Sequence, residues 1–297
     1  MKRLFWRVAP EMVLCVGIVG VLGCDPNNGV AAGPPVLQSL SVIDNLTGAP
    51  LDLTADGSPV QISGFVHLSA LFDRLLDPTA VATLDGGVDL GTTDAVSATY
   101  APALMPGAAV TLTSIYTPNG DSKLALVFAP GPTITTTPGP TFPSASTVTV
   151  TLSKTKIRSK KGEPFVDGDS AAGTIMFQTL PFMATIAVPM GDADPDAGAD
   201  AGTPSVSPMM QPVTISFTNL PADDIADHIS IIANGTPVVT GITRTSDGAA
   251  PTTITFTPDT AWPANATIEV RVDATAADAV AVPIDAPASA SFTTSAS

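Results

Sequence analysis

The sequence predicts an all-β protein in which two antiparallel β-sandwiches follow one another. Three observations support this: apolar and polar residues alternate in short runs, Gly, Pro, Asn and Asp bound the runs, and one pattern of runs occurs twice. Helical periodicity over three or four turns is absent. With 13% charged residues and 29 prolines among 297 residues, the composition also excludes a coiled coil and a charge-rich disordered chain.

The predicted strands are short runs rich in Val, Ile, Thr and Phe. They cover residues 60–72, 108–116, 122–128, 147–152, 173–179, 184–189, 213–217, 252–256, 267–272 and 288–293. Asn119-Gly120 and Asp247-Gly248 each precede a strand, as expected for hairpin turns. Because each unit is small, the pattern favours sandwiches over barrels.

The internal repeat defines the two units. A strand ending in Phe-x-Pro, at 123–130 and again at 252–258, leads to an aromatic-Pro corner at Phe142 or Trp262 and then to another strand. Each copy then ends in Phe-x-Thr, at 177–179 and 292–294. Alternate residues of a strand share a face, so one face of 66–72 and one of 213–217 should fill the space between sheets, with Phe142 and Trp262 capping that core.

At these residues the chain resembles the bacterial Ig-like domains of S-layer and other envelope proteins. Residues 72–78 fit the F-x-x-x-L-D-P corner of that family, whereas 219–224 replaces it only loosely in the second copy. The family's last hairpin carries Asp followed by Gly at its tip, and Asp167-Gly168 and the Gly-free segment 276–283 stand in that region. The resemblance implies Ig-like sandwiches over most of residues 36–297, but this fold hosts many functions.

The N-terminus is predicted to be a lipoprotein signal peptide. Basic residues precede an apolar run at 12–22 that is too short to span a bilayer, and residues 21–24 resemble the bacterial lipobox. We therefore expect cleavage between Gly23 and Cys24 and acylation of Cys24 with palmitate. The predicted organisation is a signal peptide at 1–23, a flexible tether at 24–35, the first sandwich at 36–181 and the second at 182–297.

The cysteines and charges exclude several classes of site and partner. Cys15 leaves with the signal peptide and the lipid occupies Cys24, so no thiolate site or disulfide is expected. Without the leader the chain holds nine basic and 26 acidic residues, a net charge of −17, which repels nucleic acid. The predicted partners are the lipid bilayer, through Cys24, and an envelope glycan or another envelope protein.

Five of the nine basic residues are close together, at Lys154, Lys156, Arg158, Lys160 and Lys161. In an extended strand the first four would lie on one face. One interpretation is a patch for an anionic glycan, lipopolysaccharide or peptidoglycan. The other, which we favour, is a charged guard that stops sheets from aggregating edge to edge.

The acidic segment 191–204 is a candidate calcium loop. Asp192, Asp194 and Asp196 alternate as in the first half of such a loop. However, Gly198 falls one place late and Thr203 stands where a bidentate Glu is needed, so we favour a solvated spacer and predict no cofactor. The segment is expected to be a loop inside the second sandwich, with an interdomain linker as the alternative.

No catalytic pattern is present, so the protein is predicted not to be an enzyme. His67 and His228 lie in different repeats, and no phosphate loop, H-E-x-x-H or G-x-S-x-G motif occurs. The predicted function is that of a lipid-anchored envelope protein with a structural, spacer or adhesion role. The alternative is an accessory module of a carbohydrate-active or other hydrolytic envelope enzyme or complex. We favour the outer membrane or cell surface over the inner membrane.

Overall fold

The computed structural model describes residues 33–52, 60–77, 95–102, 112–118, 124–130, 141–169, 172–189, 205–206, 211–238, 242–247 and 250–296. Within these ranges the chain forms strands and turns, with one 3-10 turn at Ile225–His228 and no α-helix. Residues 32–297 form one compact unit. This confirms the predicted all-β class.

The strands of the first half are β1 (Val36–Asp44), β2 (Pro50–Leu51), β3 (Gln61–Ile62), β4 (Val66–Phe72), β5 (Val96–Ala101), β6 (Leu112–Pro118), β7 (Leu124–Pro130), β8 (Thr147–Leu152), β9 (Val166–Asp167) and β10 (Thr174–Thr179). Those of the second half are β11 (Ala184–Ala187), β12 (Ser205–Val206), β13 (Val213–Phe217), β14 (Ile229–Ala233), β15 (Thr236–Pro237), β16 (Ile242–Asp247), β17 (Ala250–Pro258), β18 (Thr267–Val272) and β19 (Ala288–Thr294).

The described strands form four sheets, two in each half. The first half contains the order β2-β1-β4-β7-β6, with β9 added beside β1, and the order β3-β10-β8-β5. The second half contains β11-β13-β17-β16 and β12-β19-β18-β14-β15. Each half has its own apolar core, as expected when two sheets pack face to face. We call the two halves sandwich 1 and sandwich 2.

Each predicted strand is present, although some have different ends. The predicted run 60–72 is interrupted at Gly64, because β3 joins one sheet and β4 joins the other. The longer strands β1, β5, β14 and β16 and the two-residue strands β2, β9, β12 and β15 were not predicted. The segment Val96–Ala101, for example, carries Ser97, Thr99 and Ala101 at its outward positions, a pattern that does not distinguish a strand from a polar loop.

Each core contains an aromatic pair at the equivalent position, at one end of the sandwich. Phe142 meets Phe177 edge to face with ring centroids 5.3 Å apart, and Trp262 meets Phe292 edge to face at 5.7 Å. All four side chains are buried. Such pairs add about 0.5–1.5 kcal/mol beyond their burial, and they confirm that the aromatic-Pro corners cap the two cores.

The final threonine of each Phe-x-Thr motif holds the corner in place. Thr179 Oγ1 donates to Pro143 O at 2.6 Å and accepts from Ser146 N at 2.9 Å. Thr294 Oγ1 donates to Pro263 O at 2.5 Å and accepts from Ala266 N at 2.9 Å. The sequence repeat therefore corresponds to a repeat of individual hydrogen bonds.

The basic segment differs from the continuous strand that the sequence suggested. Lys156 N and Ile157 N both donate to Ser153 O, which forms a turn between Lys154 and the later cations. Beyond the turn, buried Ile157 and Ser159 alternate with the exposed residues Arg158 and Lys160. The prediction that four cations share a face of one strand is therefore wrong, because Lys154 and Lys156 lie in a turn and Arg158 takes part only in an isolated bridge.

The predicted hairpin tip at Asp167-Gly168 is also corrected. The tip of sandwich 1 is the turn 159–163, in which Gly162 N donates to Ser159 O, and Asp167 belongs to β9 instead. Its counterpart in sandwich 2 is the turn 278–282, in which Ala281 N donates to Asp278 O. Gly162 has φ 84° and Ala281 has φ 67°, so alanine occupies a left-handed position in the second copy.

Replacing Ala281 by glycine should therefore stabilise the protein by about 0.5–1 kcal/mol, because glycine adopts positive φ without a Cβ penalty. Gly162→Ala, which introduces the same strain in sandwich 1, should destabilise by about 1 kcal/mol. Urea unfolding of both variants tests this. If both substitutions changed the free energy of unfolding in the same direction, backbone strain at these two turns would not be what sets their effect.

Candidate functional site

The predicted site residues are placed unevenly. Gly23 and Cys24, and the calcium candidates Asp192, Asp194 and Asp196, lie outside the described residues. The strands before and after the acidic segment, β11 and β12, lie in the two different sheets of sandwich 2. No group of three or more His, Cys, Asp or Glu side chains suited to a metal ion occurs in the described ranges.

Two cations of the basic segment form ion pairs with nearby carboxylates. Lys154 Nζ lies 2.5 Å from Asp167 Oδ2 and 5.8 Å from the centre of the Phe165 ring. Arg158 Nε lies 3.4 Å from Asp77 Oδ2. The hydrogen bond from Lys154 also lowers the pKa of Asp167. The segment therefore presents less net positive charge to an anionic ligand than its sequence suggests.

The two histidines are far apart in sequence and have different partners. His67 Nδ1 contacts Asn45 Oδ1 at 2.5 Å, and partial burial lowers the pKa of His67. His228 lies 2.8 Å from Thr275 Oγ1 and between Asp224 and Asp273, which it meets through opposite ring nitrogens. His67 has no hydroxyl among these contacts, and the Thr275 hydroxyl beside His228 donates its hydrogen to Asp273 Oδ1 at 2.5 Å. His228 therefore does not hold that hydroxyl as a base holds a nucleophile in a catalytic triad.

The most extensive buried polar cluster in the described part of the chain lies where the two sandwiches meet. Sandwich 1 contributes the aromatic-Pro corner with Thr141, Phe142 and Ser144, which we call the socket. Sandwich 2 contributes Asn219, just after β13, and Asp278, at its hairpin tip, which we call the plug. Thr141, Ser144, Asn219 and Asp278 are all buried, at 1% exposure or less.

Asp278 accepts four hydrogen bonds that divide between its two oxygens. Oδ1 accepts from Val280 N at 3.1 Å and Val282 N at 2.8 Å, both in its own turn. Oδ2 accepts from Ser144 N at 3.0 Å and from Asn219 Nδ2 at 3.3 Å. One oxygen therefore closes the turn and the other reaches sandwich 1.

Asn219 uses both ends of its amide. Its Oδ1 accepts from the Thr141 hydroxyl and from Leu220 N at 2.9 Å. Its Nδ2 donates to Phe142 O at 3.0 Å and to Ser144 Oγ at 2.8 Å, besides Asp278. A buried amide with all its groups paired gives orientation as well as stability, because any other arrangement would leave polar groups unpaired.

Gly64 lets the two sandwiches approach at this point. Its carbonyl accepts from Phe142 N at 3.0 Å. A Cβ on Gly64 would lie 2.2 Å from Phe142 O, 2.6 Å from Asn219 Nδ2 and 2.8 Å from Thr141 Oγ1. Only glycine fits here without moving the junction.

Burial dominates the electrostatics of the junction. Desolvation raises the pKa of Asp278, although its hydrogen bonds oppose that shift. Burying a carboxylate is costly unless donors surround it, and here three backbone amides and one side-chain amide do so. The geometry therefore suits a structural contact between domains.

Sequence reasoning did not identify the junction. A signal for it is present when the two copies of the repeat are compared, because residues at equivalent positions of the two copies differ in their polar groups. Ser159 in sandwich 1 is equivalent to Asp278 in sandwich 2. Ser159 forms a β-bridge with Leu76 and Asp278 forms one with Pro221, and both of these partners lie four residues after the Phe that ends the preceding strand. Polar differences of this kind between otherwise matched repeats can mark their contacts.

Residues 188–294 match the family model of the bacterial Ig-like domain. This range covers sandwich 2 from just after β11 to the end of β19. The module is a non-catalytic domain type of bacterial surface proteins. No curated protein matches the chain. The described residues include no helix long and apolar enough to cross a membrane.

Proposed function

We propose that this chain is a lipid-anchored protein of the bacterial envelope, held at the membrane by acylated Cys24, with a non-enzymatic spacer or adhesion role. The observation that supports the anchor is the lipobox-like sequence at 21–24 after a basic and apolar leader. The Ig-like domain at 188–294 supports the structural role. The segment 24–35 is the tether that separates the sandwiches from the bilayer.

Cys24→Ala should move the protein from the membrane fraction to the soluble fraction of cells and abolish incorporation of labelled palmitate. Cys15→Ala is the matched control, since Cys15 lies in the apolar run that we expect to be removed. It should leave both fractionation and labelling unchanged. Membrane retention of an unlabelled Cys24→Ala protein would contradict the anchor.

We place the sandwiches on the outer surface of the cell, where an adhesion role requires them. Protease added to intact cells should then digest sandwich 2, detected by an antibody against it, while a periplasmic marker stays intact. Protection of sandwich 2 until the outer membrane is opened would contradict surface display and leave a spacer role inside the envelope.

A further inference from the structure

Sandwich 2 carries more hydrogen-bonding capacity at its hairpin tip than its own fold uses. In sandwich 1, Ser159 Oγ accepts from Lys161 N at 3.2 Å and Glu163 N at 3.3 Å. Asp278 Oδ1 makes the same two contacts in sandwich 2, to Val280 N and Val282 N. The second oxygen of Asp278 has no counterpart in Ser159, and it is the oxygen that reaches Ser144.

A second position, two residues after the Phe that ends β4 or β13, also differs between the two sandwiches in where its hydrogen bonds go. Asn219 occupies the position of Arg74, two residues after Phe217 and Phe72 respectively. Arg74 pairs with its neighbour Asp73, with Nη2 and Oδ2 2.7 Å apart, inside sandwich 1. Asn219 instead bonds to Thr141, Phe142 and Ser144 of the other sandwich. The plug is therefore specific to the second copy.

The socket is specific to the first copy. Thr141 and Ser144 supply hydroxyl groups to Asn219, and their counterparts in sandwich 2 are Ala261 and Ala264. These alanines are exposed, whereas Thr141 and Ser144 are buried. The plug is therefore present only in sandwich 2 and the socket only in sandwich 1, and the two are in contact.

The connection between the sandwiches is short and held at both ends. Four residues, 180–183, separate β10 from β11. On one side Leu180 N donates to Ile62 O and Leu180 O accepts from Ala145 N. On the other, Phe182 is buried in the second core and Met183 N donates to Thr218 Oγ1 at 2.9 Å. Such a connection leaves little freedom for reorientation unless these bonds break.

We propose that plug and socket form a latch that fixes the two sandwiches in one orientation, so that sandwich 1 and sandwich 2 move as a single rigid body. Interfaces between domains of one chain generally permit relative motion unless they are extensive and well packed. In any other orientation Asn219 would lose its bonds to Thr141, Phe142 and Ser144, and Asp278 would lose its bond to Ser144 N. The inference rests on the contacts at residues 141–144, 219 and 278 and does not depend on the lipid anchor.

The distance between spin labels in the two sandwiches measures this directly. Labels are placed at Met176→Cys and Ser291→Cys, exposed positions on β10 and β19, in the full chain carrying Cys15→Ser and Cys24→Ser so that no native thiol competes. Pulsed electron paramagnetic resonance should give one narrow distance distribution. Asp278→Ser keeps the turn contacts but removes the arm across the junction, and it should broaden the distribution.

Ser159→Ala is the matched control. It removes the equivalent turn contacts in sandwich 1 without touching the junction, so the distribution should stay narrow. Asn219→Ala provides a second junction variant and should broaden the distribution as Asp278→Ser does. A broad distribution in the parent, or a narrow one in both junction variants, would overturn the latch. Neither outcome bears on membrane anchoring.

Discussion

Asp278→Ala should lower the free energy of unfolding of sandwich 2 by about 3–5 kcal/mol, because several hydrogen-bond donors at the junction and in the turn lose their acceptor together. The substitution leaves Val280 N, Val282 N and Ser144 N without the oxygens that they bond, whereas Asn219 Nδ2 keeps Phe142 O and Ser144 Oγ. Each buried donor that loses its partner costs about 1–3 kcal/mol. Urea unfolding followed by the fluorescence of buried Trp262 measures the change.

The matched variant Asp278→Ser separates the two functions of this side chain. Its hydroxyl can serve the two amides of the turn, as Ser159 does, so the loss should be about half of that in Asp278→Ala. An Asp278→Ala protein as stable as the parent would show that the junction contributes nothing to folding.

The pH dependence follows from the direction of the pKa shift. Burial raises the pKa of Asp278 above its unfolded value, so the folded state binds its proton more tightly than the unfolded state. The stability associated with Asp278 is therefore fully present below its unfolded pKa, about 3.9, and declines as pH rises through the folded pKa. Consequently, the difference in stability between the parent and Asp278→Ala should be larger near pH 4 than at pH 7.

Gly64→Ala should destabilise the protein by about 1–3 kcal/mol and weaken the junction, because the new methyl group overlaps the carbonyl of Phe142, a backbone atom that cannot turn away. Gly64 belongs to sandwich 1, yet the Trp262 transition of sandwich 2 should shift to lower urea concentration. The effect crosses the junction because Asn219 Nδ2 also lies within 2.6 Å of the added Cβ position.

Gly168→Ala is the control for overlap alone. Its Cβ would lie 2.2 Å from Leu37 O, as severe a contact, but within sandwich 1. It should destabilise sandwich 1 but shift the Trp262 transition less than Gly64→Ala does, because the hydrogen bonds of the junction itself stay intact. If both glycine variants shift Trp262 equally, or neither does, the junction is not what joins the stabilities of the two sandwiches.

The fold could be predicted from the sequence because the residues that form the core follow patterns between near neighbours in the chain. Alternation along β4 and β13, the Phe-x-Thr ends and the aromatic-Pro corners each depend on residues close together in the chain. Strands such as β16 (Ile242–Asp247) were missed because their sequence is mostly polar, and only pairing with β17 makes the segment a strand.

The junction could not be predicted in the same way, because it joins residues that are far apart in sequence. Asn219 and Thr141 are 78 positions apart, and Asp278 and Ser144 are 134 apart. Nothing local in the segment 276–283 indicates that its Asp faces another domain. The prediction of Asp167-Gly168 as a hairpin tip was wrong because the tip of sandwich 1 is built on Ser159, the counterpart of Asp278, and so carries no Asp-Gly pair.

The basic segment shows how context changes a composition-based interpretation. Five cations in eight residues suggested an anionic ligand or an edge guard, and both remain predictions. Folding brings Asp167 to Lys154 and Asp77 to Arg158. These two carboxylates reduce the effective positive charge of the basic segment. Exposed ion pairs of this kind contribute little stability.

Amide hydrogen exchange in Asn219→Ala tests most directly whether the two sandwiches support one another. The substitution lies in sandwich 2, and the strand to watch is β8 in sandwich 1, whose amides bond to β5 and β10. If the junction stabilises both sandwiches, β8 exchange through unfolding of sandwich 1 should accelerate about tenfold or more, which corresponds to about 1.4 kcal/mol per factor of ten. Faster exchange confined to β13 and its neighbours, with β8 unchanged, would contradict the account.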